Sequence, residues 1–328
     1  MTREIQIIRN FIAKVNLDLS GYTILTEVGS SNYLYTPIIA AFAGAHKVYA
    51  WTNNSWYGSG SDNIKDCLEL CKNFGLEDII EFSNGTRPSY QIQEANIVTN
   101  SGFVRPINKE FISSMNKTAV ISLMYEAWEL RNEDVDVRYC REAGIKLSGV
   151  WENHPQLKVF SGVGPLAIKL SLEAGYEVYQ NKIIVWSDDQ FGKETVKSFE
   201  NMGASKVIMT CNTEELYENL SGTDFVYICD YDERRKYFGR NSIFDLEKIV
   251  LKNPYLGIVH LYGNVSINEL RKNNIKAYPE KDGKPLVMTE TLGYLGATPI
   301  FRLLIGGLKV AENMLREIKS DLVQPVNY

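Results

Sequence analysis

The feature that most constrains this chain is an alternation running almost from end to end. Short apolar, β-branched runs give way to amphipathic helical runs and then return. A helix between two strands brings the second strand back parallel to the first, so the pattern specifies parallel sheets covered by helices, the α/β class. In the first half it predicts strands over 23–27, 47–51, 78–82, 96–99, 119–123 and 146–150, with helices over 37–43, 62–74, 109–115 and 135–143. Ile64, Leu68, Cys71 and Phe74 recur at helical spacing and give the second of these helices a face for the sheet. Pro155 breaks the pattern, and a long helix over 165–176 leads into further strands over 182–186, 206–209, 225–229, 257–261 and 276–278. A last helix, over 299–319, is longer than a crossover requires.

With 328 residues the chain suits two domains of roughly 150 residues each. The expectation is therefore two doubly wound, Rossmann-like parallel-sheet domains with an interdomain cleft. Residues 1–155 form the substrate domain, with the C-terminal helix 291–328 packing back on it, and residues 156–290 form the nucleotide-binding domain. Open α/β sheets bind ligands beyond the carboxyl ends of their strands, which places function in that cleft.

Composition narrows the partners. Hydrophobic residues at 45% and charged residues at 23% exclude disorder, collagen and coiled coil. A net charge of −5 provides no field that draws in nucleic acid or an anionic membrane, so the expected partner is a small molecule. The apolar stretch 294–310 is interrupted by Pro299, Arg302 and Lys309, too soon for a membrane span. The opening M-T-R-E-I-Q-I-I-R-N carries charges throughout and lacks a signal peptide's apolar core, so a cytoplasmic protein is expected. The five cysteines and three histidines have no metal-ligand spacing, which predicts reduced thiols and no metal site.

The most informative segment is K-I-I-V-W-S-D-D-Q-F-G-K, a buried strand, a tight turn and a helix start. It sits where a dinucleotide fingerprint G-x-G-x-x-G opens a domain, and its three glycine positions are Ser187, Asp189 and Gly192. Only Gly192 keeps the glycine, for helix-to-strand packing. A carboxylate at the middle position, with Asp188 beside it, puts bulk and like charge where backbone normally meets a pyrophosphate. The alternative is that Asp188 or Asp189 caps the following helix. The next strand ends in Thr210, Cys211 and Asn212, without the acid that would hold a ribose. Phe191, Asp230, His260 and Gly263 complete the candidate cofactor-binding set. Arg234, Arg235 and Arg240 follow Asp230 and offset its charge in part.

Several stretches together resemble a known superfamily: G-Y-T-I-L-T-E-V with A-G-A-H-K-V-Y-A-W-T-N-N, then W-E-N-H-P-Q-L-K-V-F-S-G-V-G leading into W-S-D-D-Q-F-G-K-E, then I-V-H-L-Y-G-N-V and T-L-G-Y-L-G-A-T-P. Their order is similar to that of the S-adenosylhomocysteine hydrolases and D-2-hydroxyacid dehydrogenases. The resemblance implies a split ligand domain, a hinge helix, an NAD domain and a returning C-terminal helix, and with them oxidation of a small molecule by NAD or NADP in an associating chain, a homo-oligomer. The hydrolases' hinge lysine has its counterpart at about Leu157, so hydrolase activity does not carry over. The dehydrogenases' Arg, Glu and His set finds no residue-by-residue match.

Polar clusters at other strand ends supply the candidate chemistry. In G-S-S-N-Y, Ser30 and Ser31 form a strand-to-helix turn suited to a carboxylate or phosphate, and Asn100 and Arg105 follow another strand end, where Arg105 can pair with an anionic substrate. The turn T-N-N-S-W-Y-G offers amides and rings to a ring-bearing ligand. In M-Y-E-A-W-E-L-R, Tyr125, Glu126, Glu129 and Arg131 combine a phenol, carboxylates and a guanidinium. Glu152 and His154 lie at the domain junction, where an imidazole suits proton transfer. The catalytic candidates are thus His154, Glu152, Tyr125, Glu129 and Arg131. Two further readings stand beside the NAD(P)-linked oxidoreductase. One is an S-adenosylmethionine or nucleoside-binding enzyme, methyltransferase-like, with the acids on ribose hydroxyls or a sulfonium; the other is a non-catalytic ligand-binding protein.

Overall fold

The structure is a computed structural model that describes residues 2–232, 234–238 and 242–326. Arg240 lies outside the described residues. The chain divides into two compact units, Met1–Val159 with Gly296–Tyr328, and Phe160–Leu295.

The first unit holds a seven-stranded sheet built from β1 (Thr23–Glu27), β2 (Lys47–Thr52), β3 (Ile80–Asn84), β4 (Ile97–Thr99), β5 (Val120–Ser122), β6 (Lys146–Val150) and β12 (Val323–Pro325), in the order β12-β6-β5-β4-β1-β2-β3. All neighbours are parallel except β12, which runs antiparallel on the edge beside β6. Central strands covered on both faces read as continuous apolar runs, as Ile24, Leu25, Ile97, Val98 and Ile121 do, all fully buried. The long final helix spans Ala297–Leu315. Its Gly307 lets it approach the sheet closely: a Cβ there would lie 2.3 Å from Met124 Cε, and the Ser122 hydroxyl donates to the Gly307 carbonyl at 2.6 Å. Beyond this helix the chain returns as β12, a strand that the sequence pattern does not announce. It is three residues long and contains Pro325, tolerated where no ladder hydrogen bond is needed.

The second unit holds a five-stranded parallel sheet of β7 (Lys182–Trp186), β8 (Lys206–Thr210), β9 (Phe225–Ile228), β10 (Gly257–His260) and β11 (Lys276–Tyr278), in the order β11-β10-β9-β7-β8. Trp186, Tyr227 and Tyr237 are the largest fully buried side chains among the unit's described residues. No helix among the described residues is long and apolar enough to cross a membrane.

Strand order locates the ligand-binding end of each sheet. In the first unit the chain runs from β1 outward to β3, then returns to β4 on the other side of β1 and runs outward to β6. The loops after β1 and β4 therefore diverge and leave a crevice at the strands' carboxyl ends. In the second unit the same reversal falls between β7 and β9.

Candidate functional site

At the first unit's reversal, β1 ends on Glu27, whose side chain is almost wholly buried. Its Oε2 accepts the Phe103 N–H at 3.0 Å, which ties it to the turn after β4. Burial pushes this carboxyl above its usual range, while the backbone N–H of Phe103, the Arg105 charge and the Gly102 N–H pull the other way. Beneath it a hydroxyl chain joins the two strands: Thr26 Oγ1 to Thr99 Oγ1 and Thr99 Oγ1 to Ser101 Oγ, each at 2.8 Å. Asn100 Oδ1 accepts the Met124 N–H at 2.7 Å, and its buried Nδ2 has no partner among the described residues. Ser30 donates to Asn63 at 2.9 Å, and Ser31 takes a left-handed φ of 56°. Gly29 is required in this turn, since a Cβ would fall 2.8 Å from Tyr33 Cβ.

The segment after β5 supplies the charges. Asp134, 4% exposed, accepts Arg105 Nη1 at 2.9 Å, the Tyr125 hydroxyl at 2.6 Å and a two-pronged contact from Arg131 at 3.0 and 3.1 Å. Two guanidiniums on one carboxylate leave an excess positive charge, and both arginines keep about a quarter of their side-chain surface in water. Glu126 and Glu129 close a capping box on the short turn Ala127–Glu129, and Glu126 Oε1 also accepts the Glu152 N–H at 3.0 Å. Three carboxyls thus converge. Burial pushes Glu129 up to about 7, with the Glu126 N–H pulling down, the Glu126 charge adding to the rise and Arg131 opposing it. Burial, then Glu129 and Glu126, push Glu152 well above the usual range. Tyr33 is kept protonated by burial and by Glu27 and Glu152. Glu27, Tyr33, Glu152, Glu129, Arg131, Asp134 and Arg105 accordingly form a closed circuit of electrostatic neighbours at the carboxyl ends of β1, β4, β5 and β6.

Of the sequence-derived catalytic candidates, Tyr125, Glu129, Arg131 and Glu152 come together. His154 does not join them through any described contact. Its Nε2 lies 3.1 Å from Asp321 Oδ1, and its Nδ1 accepts the Gln156 N–H at 3.3 Å. The imidazole thereby ties the turn after β6 to the start of β12. Glu27 and Asp134 do not emerge as site residues from the sequence, whereas Tyr33 closes the candidate turn G-S-S-N-Y. The one local signal is an acid closing the apolar strand T-I-L-T-E.

In the second unit the cap reading of Asp189 is the one found. Asp189 Oδ1 accepts the Phe191 N–H at 2.7 Å, the Gly192 N–H at 3.3 Å and the Ser187 hydroxyl at 2.8 Å, while Oδ2 accepts the Tyr231 N–H at 3.1 Å. The carboxylate faces the first turn of the helix Gln190–Asn201. Gly192 retains its packing role, as a Cβ would lie 2.7 Å from Ser187 Cβ. Asp188, Cys211 and Asp230 bring potential ligand atoms within 4.8 Å of one another, and the Arg235 guanidinium donates to all three, at 3.0 Å to each of Asp188 and Cys211 and 2.8 Å to Asp230. A tethered cation thus stands where a metal would. Tyr237 also donates to Asp230.

The remaining cofactor candidates sit inside the fold. Phe191 packs among Phe160, Tyr231 and Tyr262. Gly263, at φ 104°, makes room for Tyr237. His260 is fully buried, with Nε2 3.0 Å from the Pro279 carbonyl and Nδ1 3.2 Å from the Thr289 hydroxyl. Burial lowers it to about 4, against the Pro279 hydrogen bond, so the ring is neutral near pH 7 and both its nitrogens are engaged.

No protein-family profile and no curated protein matches the sequence. Solved structures do match in fold. A dipicolinate synthase chain from Bacillus subtilis superposes with a TM-score of 0.58 at 13% identity, over 92% of this chain and 99% of that one. Its counterpart, the dipicolinate synthase chain from Bacillus halodurans, gives 0.55 at 11% identity, over 91% and 99%. The pyruvate reductase of Chlamydomonas reinhardtii gives 0.51 at 12% identity, over 94% and 99%. The likeness is one of fold, and the two Rossmann-like sheets implied by the sequence resemblance are the architecture found.

Proposed function

We propose that the chain is a small-molecule enzyme on an oxidoreductase-type scaffold, which holds a carboxylate-bearing substrate at the carboxyl end of the first unit's sheet and moves a proton on it. The observation that carries this reading is the pairing of an excess positive charge, Arg105 and Arg131 on the single Asp134, with neighbouring carboxyls, Glu129 and Glu152, that burial raises above the usual carboxylate range. Arg105 and Arg131 orient the substrate anion through their remaining N–H groups. Glu129, pushed up to about 7, exchanges a proton near neutral pH. Glu152, pushed well above the usual carboxylate range by burial and by its carboxylate neighbours Glu129 and Glu126, favours its neutral form and can donate a hydrogen bond to a substrate carbonyl or hydroxyl; burial moves Glu27 in the same direction.

A second reading, an NAD(P)-linked oxidoreductase, is favoured by the end-to-end fold likeness to a pyruvate reductase. NAD or NADP would supply the hydride, but the residues present do not fit its phosphates: the helix N–H groups are spent on Asp189 and the flanking acids on Arg235. No hydride step follows from this arrangement. The S-adenosylmethionine reading loses its ribose partners for the same reason, since Asp188 and Asp230 both pair with Arg235.

Calorimetric titration with pyruvate and with pyridine-2,6-dicarboxylate tests the proposal, these being the small acids that the neighbours' names suggest. Native protein should bind one of them, and Arg105→Ala should weaken it at least tenfold, about 1.4 kcal/mol. Equal binding by native and variant protein, or none by either, would sink the reading.

A further inference from the structure

We infer that the nucleotide site of the second unit is occupied by the chain's own side chains and is closed to NAD and NADP. A dinucleotide at such a site makes three demands: backbone close enough to meet the pyrophosphate, free N–H groups at the helix N-terminus to hold it, and an acid on the next strand for the ribose. Asp189 defeats the first two with one carboxylate. It stands at the middle position of the fingerprint, where a side chain excludes the pyrophosphate from the backbone. Its oxygens also take the N–H groups of Phe191, Gly192 and Tyr231. Its negative charge repels the incoming phosphates as well. The third demand fails at the end of β8, where Asn212 spends its side chain on the N–H groups of Glu214 and Glu215, 2.8 and 3.4 Å away.

Arg235 does not restore the site. A guanidinium there is the obvious substitute phosphate ligand, yet its N–H groups already reach Asp188, Asp230 and Cys211, with Asp232 3.5 Å from Nε. A phosphate on Nη1 would have to displace Asp230, which is 1% exposed and would then be left as a buried carboxylate without its counter-ion, and one on Nη2 would have to displace Asp188. Gly192, by contrast, is kept for packing, so the fold of a dinucleotide domain persists without its phosphate cradle. The unit is built to close on itself.

Isothermal titration of the full chain with NAD, NADH, NADP and NADPH, each up to about 1 mM, tests this. The expected result is no saturable binding by any of the four, and saturable binding of any one by the native chain overturns the inference. In Asp189→Gly the helix keeps an acceptable cap residue while the three N–H groups are released. NAD binding should then become measurable, tighter by at least about tenfold. Asp189→Ser, which keeps a capping oxygen and removes the charge, serves as the second variant should glycine fail to fold, with a smaller gain expected. A folded variant, by circular dichroism, that binds NAD no better than native protein overturns the role given to Asp189. These titrations read the second unit alone, so their failure leaves the carboxylate binding proposed for the first unit standing or falling separately.

Discussion

Arg105 reaches across 29 residues of sequence to place Nη1 2.9 Å from Asp134 Oδ2, the same oxygen that accepts the Tyr125 hydroxyl. Asp134 is the buried member and Arg105 and Arg131 the half-buried ones, so substitutions of Asp134 and of Arg105 should not be equivalent. Asp134→Ala leaves two guanidiniums facing each other without a counter-ion and should cost about 3 kcal/mol. Arg105→Ala leaves Asp134 still held by Arg131 and should cost only about 1 kcal/mol. Urea unfolding of the two variants measures the difference. Equal losses would mean that the cluster is not centred on Asp134.

Glu129 sets a direction for the dependence of stability on pH. Its carboxyl titrates near 4.3 when unfolded and is pushed up to about 7 in the fold, so between these values the native state binds more protons than the unfolded state. Its contribution is complete below about pH 4 and is lost as pH rises through 7. His260 works in the opposite sense, since its lowered value makes stability fall as pH drops from about 6.5 to about 4. The two offset each other in the native protein. The difference in unfolding free energy between native and Glu129→Gln protein isolates Glu129, and it should decline by about 1.4 kcal/mol per pH unit between pH 5 and 7. A flat difference would show that Glu129 is ionised throughout.

Asp189 serves as an N-cap whatever else the loop does. Asp189→Ala should lower stability by about 1 to 2 kcal/mol because the N–H groups of Phe191, Gly192 and Tyr231 lose their acceptor, whereas Asp189→Asn should retain most of it. Thermal or urea unfolding distinguishes the two. If Asn were as costly as Ala, the charge on the helix dipole and not the hydrogen bonds would be the dominant effect.

The strands most legible in the sequence are those with sharp ends. β1, β6 and β7 lie where their apolar runs begin and stop, at 23–27, 146–150 and 182–186. The apolar pattern places β3 over 78–82, yet the strand lies at Ile80–Asn84, because Ile79 still closes a turn on the Leu76 carbonyl and because an edge strand accepts polar residues such as Glu81 and Asn84. The site is legible only where it is local. Tyr125, Glu129 and Arg131 fall in one eight-residue segment, and Asp189 is foreseeable as a cap from its place before a helix. Arg131 and Tyr125 are local partners of Asp134, but Glu27 is recognised only through Phe103, 76 residues away, and the tie from Asp134 to Arg105 spans 29. Such partners are chosen by the sheet order and not by spacing along the chain, so neither appears in a pattern of residues.

Gly164, in the helix Val163–Glu173, is glycine for a reason that the sequence does not display. A Cβ there would fall 1.8 Å from Ser198 Oγ and 2.6 Å from the Glu194 carbonyl oxygen on the helix Gln190–Asn201. Gly164→Ala should therefore force the two helices apart and destabilise the second unit by about 1 to 3 kcal/mol, despite alanine's higher helix propensity. Combining it with Ser198→Gly removes the nearer obstacle but leaves the Glu194 carbonyl, which no side-chain change can move. The double variant should recover only part of the loss. Full recovery in urea unfolding would show that the serine alone sets the separation, and that the backbone contact has room to relax.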